Sequence, residues 1–324
     1  PRSGGVGEIM PLPLDDTVRI GVTSRLATPE EIRETVALAE DLALDSLWCG
    51  EHVAYTSPIL DPFVRLTYAA AVSKRLTLGT GVYLVPLRPA AAIAKQVVSI
   101  DHLSGGRFVF GTGVGGEFPG EFDVCGVPVR ERGARLDEAI DVMRALWTGE
   151  PVSFRGRFVR FEDVRMQPPP LAPGGPPIWC GARQEAALRR IGRKADGWVS
   201  YVVTPQRYAE GLQVIEAAAR DAGRTIERFD AAHLLFVRID DNRDRALDDA
   251  TAILSRRYAM DFRRAAERYC ALGHPDEVAA TVNEFLRAGV RHVLLDLLGD
   301  WDESRPQLER FVEEVRPQLR TSGD

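Results

Sequence analysis

Two residues that could do acid–base chemistry stand together at the end of a short apolar run. In the stretch "SLWCGEH", Glu51 and His52 directly follow the run Asp45–Gly50. A histidine exchanges protons near neutral pH, and an adjacent carboxylate tunes it. At the C-terminal end of a parallel strand such a pair is placed where barrel enzymes keep their catalytic groups. We therefore predict a catalytic role for His52; the alternative is a histidine that only hydrogen-bonds its own loop.

A burst of glycines follows a second apolar run. In "GRFVFGTGVGGEFPGEF", Gly111, Gly113 and Gly116 satisfy the pattern G-x-G-x-x-G. A dinucleotide site would need a helix that opens at these glycines and an acidic residue about 20 residues later on the next strand. Pro119 and the glycines around it contradict that helix. Together with Gly115, these glycines instead predict a barrel mouth cleared of Cβ atoms, where a flat ring can approach the backbone.

A third candidate site lies in "CGARQEAA". Gly181 and Ala182 precede a helix that should begin near Gln184, and Arg183 adds a positive charge. Small residues before a helix N-terminus leave backbone N–H groups available to an anion. The sequence therefore predicts an anion site here, and an ordinary strand–helix turn is the alternative.

Other catalytic motifs are not found. The sequence has no G-x-S-x-G, H-E-x-x-H or phosphate-loop pattern. Its four cysteines have no zinc-ribbon spacing, so no metal site is predicted. Glu51 and Asp296 could serve as the two carboxylates of a barrel glycosidase, but nothing in the sequence marks them as a pair.

The composition and net charge of the chain limit the classes of partner that it can bind. The chain has 324 residues, 45% of them apolar, and a formal net charge of −6. This charge argues against nucleic acid or an anionic membrane as the main partner, and no run approaches the roughly 18 apolar residues of a membrane span. We expect a cytoplasmic protein with reduced cysteines. Residues 1–15 lack the apolar core of a secretory signal and are expected to be disordered, which leaves 16–324 as a single domain.

The elements that must position these residues alternate between strand and helix. Near-continuous apolar runs, as expected for parallel strands buried on both faces, alternate with helical patterns. This order favours an α/β fold, a closed (β/α)8 TIM barrel, over an open sheet with a second domain. The eight predicted strands are Val18–Ser24, Asp45–Gly50, Leu76–Pro86, Arg107–Phe110, Pro177–Ala182, Asp196–Val203, Ala231–Ile239 and His292–Leu298.

One segment interrupts the alternation between the fourth helix and the fifth strand. Apolar and polar residues alternate over Val152–Val164 around Gly156, which predicts a small hairpin. A proline-rich loop, Pro168–Pro177, follows it. We interpret both as an insertion into the barrel.

Several segments together resemble the bacterial luciferase-like monooxygenase superfamily, in particular its branch of oxidoreductases that use coenzyme F420. The segments are "SLWCGEH", "LTLGTGVYLVPLRPAAAIAKQVVSIDHLSGGRFVFGTGVG", "ERGARLDEAIDVMRALWTGEPVSFRGRFVRFEDVRMQPPP" and "PPIWCGA…ADGW". The resemblance is most specific over residues 76–115 and extends more weakly to the end of the chain.

The resemblance implies a flavin or deazaflavin at the C-terminal mouth of the barrel. It implies a cis peptide bond between Gly81 and Val82 that backs the ring, with His52 near the reactive carbon. Glu51 would reach the polar edge of the ring. Gly113 and Gly115 would line the mouth, and the segment containing Gly181, Ala182 and Arg183 would bind the cofactor phosphate.

The sequence departs from this resemblance at one position. In the branch that oxidises sugar phosphates, a glutamate directly follows the G-x-G-x-G run, whereas here Gly116 holds that place and Glu117 comes one residue later. This shift argues against a sugar-phosphate substrate. Glu117, with Glu121 as a further candidate, is the predicted acid.

Three functions remain open from the sequence. The first is hydride transfer between coenzyme F420 and a small organic substrate. The second is a monooxygenase that uses O2 and reduced FMN from a separate reductase. The third is a barrel that binds a cofactor or ligand without turnover. By the same resemblance we expect a homodimer.

Overall fold

The computed structural model describes residues 12–24 and 28–320. The predicted disorder of residues 1–15 falls mostly outside these ranges. Within them, Leu14 forms a parallel bridge with Phe229, and the carbonyl of Pro13 accepts a hydrogen bond from the Phe229 N–H at 3.0 Å.

Eight parallel strands close into a barrel, as the sequence predicts. Their order around the barrel is β1–β2–β3–β5–β8–β9–β10–β12, and β12 pairs with β1. Two short strands extend the sheet, because β4 pairs with β5 and β11 pairs with β10. The strands are β1 (Arg19–Thr23), β2 (Ser46–Cys49), β3 (Thr77–Thr80), β4 (Tyr83–Leu84), β5 (Phe108–Gly113), β6 (Val152–Arg155), β7 (Arg160–Val164), β8 (Ile178–Gly181), β9 (Gly197–Tyr201), β10 (Asp230–Ile239), β11 (Ala271–Gly273) and β12 (His292–Leu297).

Helices surround the barrel, and six of the eleven described helices begin at a residue whose side chain caps the helix. Thr28 and Glu31 form a capping box at the start of α1, and Asp61 caps α2. The helices are α1 (Pro29–Asp41), α2 (Pro62–Val72), α3 (Ala90–Ser104), α4 (Pro119–Val124), α5 (Arg132–Leu146), α6 (Glu185–Lys194), α7 (Pro205–Asp221), α8 (Arg243–Tyr258), α9 (Arg263–Tyr269), α10 (Pro275–Arg287) and α11 (Trp301–Arg310). Among the described residues, none of the helices combines the length and apolarity that a membrane crossing needs.

The third and fourth strands differ from their predicted bounds. The predicted strand Leu76–Pro86 is divided into β3 and β4 by a cis peptide bond between Gly81 and Val82, the bond that the resemblance implies. The fourth strand, β5, runs on to Gly113, three residues beyond the predicted end at Phe110. Its last two residues, Thr112 and Gly113, pair with Tyr83 and Leu84 of β4.

Gly111 serves strand packing, a role that the glycine pattern alone did not predict. A Cβ at this position would lie 1.8 Å from the carbonyl oxygen of Thr80. The Thr80 hydroxyl also donates a hydrogen bond to the Gly111 carbonyl at 2.7 Å. The absence of a side chain lets β3 and β5 meet closely just below the mouth.

The predicted insertion is confirmed as an antiparallel hairpin of β6 and β7, with Phe154 opposite Phe161. The Glu138 carboxylate of α5 holds its turn, because it accepts hydrogen bonds from the N–H groups of Arg157, Phe158 and Val159. The strand β11, between α9 and α10, was not predicted. Its three residues are too few to show a periodic pattern.

Replacing Gly111 by alanine should destabilise the barrel, because the added Cβ meets backbone. Overpacking costs about 1–3 kcal/mol and occasionally more, so we expect urea unfolding to show a loss of at least about 2 kcal/mol. Gly120→Ala is the control, since a Cβ there meets nothing within 4 Å; its effect should stay within about 1 kcal/mol. Equal stability of the two variants would contradict the close approach of β3 and β5.

Candidate active site

The inside of the barrel is plugged at mid-height. Trp48 and Trp179 stack with ring centroids 4.9 Å apart, and both are almost completely buried. Val109, Val199, Ala232 and Leu294 complete this apolar cluster. The plug forms the floor of any site at the C-terminal mouth.

Above the floor, the two halves of the mouth differ. Side chains alternate along a strand, so the residues two positions beyond the plug also face inward. Two positions beyond Trp48 and Trp179 lie Gly50, just after β2, and Gly181, at the end of β8. Gly81, just after β3, lies two positions beyond Gly79, where a Cβ would come 2.3 Å from the Trp48 ring. On β9 and β12 the corresponding residues are Tyr201 and Asp296. One half of the mouth is therefore lined by bare backbone, and the other half is filled by side chains.

The side chain of Val82 lies over the glycine half. A Cβ on Gly113 would come 2.3 Å from Val82 Cγ2, and one on Gly181 would come 3.1 Å from Val82 Cγ1. Gly115, which has a φ of +61°, packs instead against Leu84 and Phe122. Four residues predicted from sequence thus converge: Gly81, Val82, Gly113 and Gly181. The space that the glycines leave is shared with Val82, which becomes the apolar surface presented to the mouth.

His52 follows Gly50 by two residues and lies in an ordered aromatic setting. Its ring stacks on Tyr55 at a centroid distance of 3.8 Å and meets the edge of Phe118 at 5.2 Å. Its Nδ1 lies 3.3 Å from both carboxylate oxygens of Glu121. The side chain is 23% exposed, so the ring is held firmly while part of it reaches solvent. Tyr55 and Phe118 were not predicted from the sequence, because no spacing rule links them to His52.

Glu121 is almost completely buried and fully engaged. Its Oε1 accepts hydrogen bonds from the N–H groups of Val53 at 2.6 Å and Ala54 at 3.3 Å. Burial raises the pKa of Glu121, but the hydrogen bond and charge of His52 and the two N–H groups outweigh it, so the pKa lies below its ordinary value. The structure therefore places Glu121, rather than the predicted Glu117, in contact with His52 as a carboxylate.

Glu51 faces a different environment. It is 3% exposed, and its Oε1 lies 2.5 Å from the Arg88 guanidinium while its Oε2 accepts a hydrogen bond from the Leu84 N–H. Burial raises the pKa of Glu51 to about 7, although Arg88 and the Leu84 N–H oppose the rise. Glu51 thus holds β4, the segment that follows Val82, and can exchange a proton near neutral pH.

Glu117 contacts two residues on the other side of the mouth, Arg183 and Tyr201. Its Oε1 pairs with the Arg183 guanidinium at 2.8 Å and accepts a hydrogen bond from the Tyr201 hydroxyl. Arg183 in turn lies over the Tyr201 ring at 4.4 Å. The Glu117 side chain is 41% exposed, so this group of three sits at the rim of the mouth.

At the predicted anion site Arg183 is in place, but one of the expected backbone donors, the N–H of Ala182, is already used. The N–H of Ala182 bonds to the Val199 carbonyl at 3.4 Å, within the sheet pairing of β8 and β9. The N-terminus of α6 begins at the N-cap Gln184, whose side chain makes no capping hydrogen bond. An anion would therefore meet Arg183 and the start of α6 rather than the N–H of Ala182.

A buried ion pair closes the filled half of the mouth. Arg257 Nη1 lies 2.7 Å from Asp296 Oδ2, and both side chains are less than 20% exposed. The Thr56 hydroxyl donates to the Arg257 carbonyl, which ties the loop after His52 to the end of α8. Asp296 and Glu51 each pair with an arginine of their own, which argues against the glycosidase alternative. The described residues contain no group of three or more potential metal ligands.

A family model decides the classification of this fold and mouth. The model described as luciferase-like monooxygenase matches residues 14–315. The chain belongs to this family. The resemblance that the sequence analysis drew from its motifs is therefore confirmed.

Relatives within the family differ in their named activities. An uncharacterized protein of Mycobacterium tuberculosis is 35% identical over 168 residues, covering 52% of the chain and 57% of that relative's length. A protein of Nakamurella multipartita named F420-dependent glucose-6-phosphate dehydrogenase is 28% identical over 323 residues, covering 90% and 93%. The 4-hydroxyprotoasukamycin monooxygenase of Streptomyces nodosus subsp. asukaensis is 32% identical over 220 residues, covering 65% and 59%.

Solved structures share the fold. The coenzyme F420-dependent tetrahydromethanopterin reductase of Methanopyrus kandleri superposes with a TM-score of 0.79 at 22% identity, covering 94% of the chain and 100% of the reductase. The oxygenating constituent of the Pseudomonas putida 3,6-diketocamphane monooxygenase, solved with FMN, gives a TM-score of 0.72 at 17% identity, covering 94% and 99%. At these identities the likeness establishes the barrel alone.

Glu121→Gln should be less stable than the natural protein at neutral pH and about as stable in acid. The folded pKa of Glu121 lies below its ordinary value, so its stabilisation is present above the ordinary value of 4.5 and is lost as the pH falls through the folded pKa. Hydrogen bonds to a charged group are worth about 1.5–3 kcal/mol, so we expect a loss of this size near pH 7. Urea unfolding between pH 3 and 7 measures it.

The exposed Glu162, whose one ion pair in the described part of the chain is with the exposed Arg155, supplies the control. Glu162→Gln should change the stability by less than about 0.5 kcal/mol at every pH. A difference between the natural protein and Glu121→Gln that does not change with pH would show that Glu121 is not a buried carboxylate.

Proposed function

We propose that this protein is an oxidoreductase that transfers hydride between coenzyme F420 and a small organic substrate at the C-terminal mouth of the barrel. The observation that carries the proposal is the half-mouth of bare backbone capped by Val82, with His52 two residues after Gly50 in the chain. The family membership and the relative named F420-dependent dehydrogenase support it. When bound, coenzyme F420 supplies the two-electron hydride chemistry, and the protein supplies position, orientation and proton management.

The mouth fits a flat ring system on geometric grounds. Gly50, Gly81 and Gly181 present no Cβ atoms to the inside, and the Val82 side chain offers an apolar face. A planar ring can rest against such a surface without displacing side chains. Gly113 matters indirectly, because it makes room for Val82.

His52 is the residue assigned to proton handling. Its Nδ1 faces Glu121, which leaves Nε2 as the atom that can hold or deliver a proton in the mouth. The Glu121 carboxylate orients the ring through this contact. Tyr55 and Phe118 fix the plane of the ring, so the proton is presented at a defined place.

Glu51 and Glu117 take different roles in this proposal. Glu51 fixes β4 through the Leu84 N–H and thereby positions Val82 against the ring. Glu117 has its carboxylate committed to Arg183 and Tyr201, at the rim. This commitment, together with the one-residue displacement by Gly116, argues against a glutamate acid of the kind that the sugar-phosphate branch uses. We propose a substrate other than a sugar phosphate.

A second function is a monooxygenase that receives reduced FMN from a separate reductase and consumes O2. The monooxygenase relative and the FMN-bound structural neighbour favour it. The same half-mouth would accept the FMN ring, so the cofactor itself separates the two functions. A cytoplasmic location and a homodimer remain predictions from the sequence.

Titration with each cofactor tests the proposal. We expect the purified protein to bind coenzyme F420 with a micromolar or lower Kd and FMN at least tenfold more weakly, followed by the fluorescence of each cofactor. Tight binding of FMN without a response to coenzyme F420 would replace the first function by the second. Binding of coenzyme F420 without turnover of any alcohol, aldehyde or enone in a broad panel would support a barrel without catalysis.

His52→Ala should retain cofactor binding and lose turnover. Proton transfer by a positioned side chain contributes about 10²- to 10⁴-fold, so kcat should fall by at least 10²-fold while the Kd for coenzyme F420 changes by less than about threefold. Stopped-flow absorbance of the deazaflavin separates the two quantities. A variant with unchanged kcat would show that His52 has no part in the reaction. His102→Ala is the matched control, because His102 is exposed and lies in the last turn of α3.

A further inference from the structure

A cleft of about 360 Å³ opens at the rim of the mouth, between the ends of β8 and β9 and helix α9. We name it the arginine cleft, after Arg183, Arg207 and Arg268, which line it. No aspartate or glutamate lines it, although the chain as a whole carries a net charge of −6. Such a local excess of positive charge points to an anionic ligand.

A larger cleft at the opposite end of the barrel provides a comparison, because its arginines are accompanied by aspartates. That cleft, of about 600 Å³, is also lined by arginines, but two aspartates line it as well. Asp196 pairs there with Arg144 at 3.0 Å, and Asp230 pairs with Arg228 at 3.1 Å. Its positive charge is therefore neutralised by aspartates that line the cleft itself, whereas Glu117 and Glu210, the partners of Arg183 and Arg207, do not line the arginine cleft.

Two of the three guanidinium groups of the arginine cleft, those of Arg207 and Arg268, are available to a ligand. Within the described part of the chain, Arg268 has no carboxylate within ion-pair distance and lies over the ring of Tyr269 at 5.4 Å. Arg207 is 66% exposed, and its one ion pair among the described residues is with Glu210, one turn along α7. An exposed pair of this kind is weak, so an anion can recruit Arg207 at little cost.

Two helix N-termini add to this positive potential. Gln184 and Thr204, the N-cap residues of α6 and α7, both line the cleft. Each helix has at least ten residues, and its N-terminus carries a partial positive charge. Three arginines and two helix starts around one cleft suit a ligand with several negative charges.

We propose that the arginine cleft binds the carboxylate-rich tail of coenzyme F420. This inference rests on the proposed function. Chemically, the cofactor carries an oligoglutamate chain joined to its ring system through a phosphodiester, whereas FMN ends in a single phosphate. Arg183 connects the two regions, because it pairs with Glu117 at the rim of the mouth and also lines the cleft. A tail that leaves the mouth beside Gly181 meets the arginines at once.

The test compares coenzyme F420 that carries several glutamates with the same cofactor trimmed of all its glutamates. The natural protein should bind the long form about tenfold more tightly, and this preference should weaken as NaCl is raised. Each exposed charge contact contributes up to about fivefold. In the double variant Arg207→Gln/Arg268→Gln the preference should fall below about twofold, while the Kd of the trimmed form stays unchanged.

Arg263→Gln is the matched control. Arg263 is an exposed arginine of the same helix as Arg268, pairs with Asp248 and does not line the cleft. It should keep the full preference for the long form. Loss of the preference in this control as well would mean that overall charge, and not the cleft, is responsible.

The remaining outcomes are distinct. A preference that survives in the double variant overturns the assignment of the tail to the cleft. Tight binding of both forms without any preference also overturns it and leaves the proposed function intact. Failure to bind either form overturns the proposed function, and this inference falls with it. Competition by inorganic phosphate that depends on Arg207 and Arg268 and affects both forms equally would make the cleft a phosphate site instead.

Discussion

The candidate site depends on the fit of one side chain into space that only glycine leaves open. Val82 lies between Gly113 and Gly181, and a Cβ on either glycine would crowd it. Because protein interiors are close-packed, Val82 can occupy this position only while both neighbouring strands lack side chains there. Glu51 holds the backbone of β4 through the Leu84 N–H. The position of the Val82 surface is therefore set both by the two glycines and by Glu51.

Three glutamate side chains around the mouth have different electrostatic environments, because their hydrogen-bond and ion-pair partners differ. Glu121 receives two backbone N–H groups and His52, and these contacts keep it charged despite its burial. Glu51 is equally buried, but Arg88 and one N–H group do not compensate fully, and its pKa rises to about 7. Glu117 lies at the exposed rim, paired with Arg183. Residues of one chemical type thereby serve to orient a histidine, to anchor a strand and to connect the mouth with the arginine cleft.

The sequence predicted the barrel because each buried strand is a continuous apolar run, and because caps such as Thr28 mark where helices begin. It predicted the glycines but not their individual functions, since the contact of Gly111 with Thr80 depends on how two strands approach in space. The pairing of His52 with Glu121 joins residues 69 positions apart, and no local pattern encodes it. The arginine cleft likewise combines residues from three separate loops and helices, which only the closed barrel brings together.

The central claim is that a deazaflavin ring rests against Val82 in the glycine-lined half of the mouth. A crystal structure of the protein soaked with coenzyme F420 tests it directly. We predict electron density for the ring over Val82, bounded by Gly50, Gly81 and Gly181, with His52 Nε2 within hydrogen-bonding distance of the ring or substrate. A ring bound in the cleft at the opposite end of the barrel, or one held over Tyr201 and Asp296 away from Val82, would contradict the account.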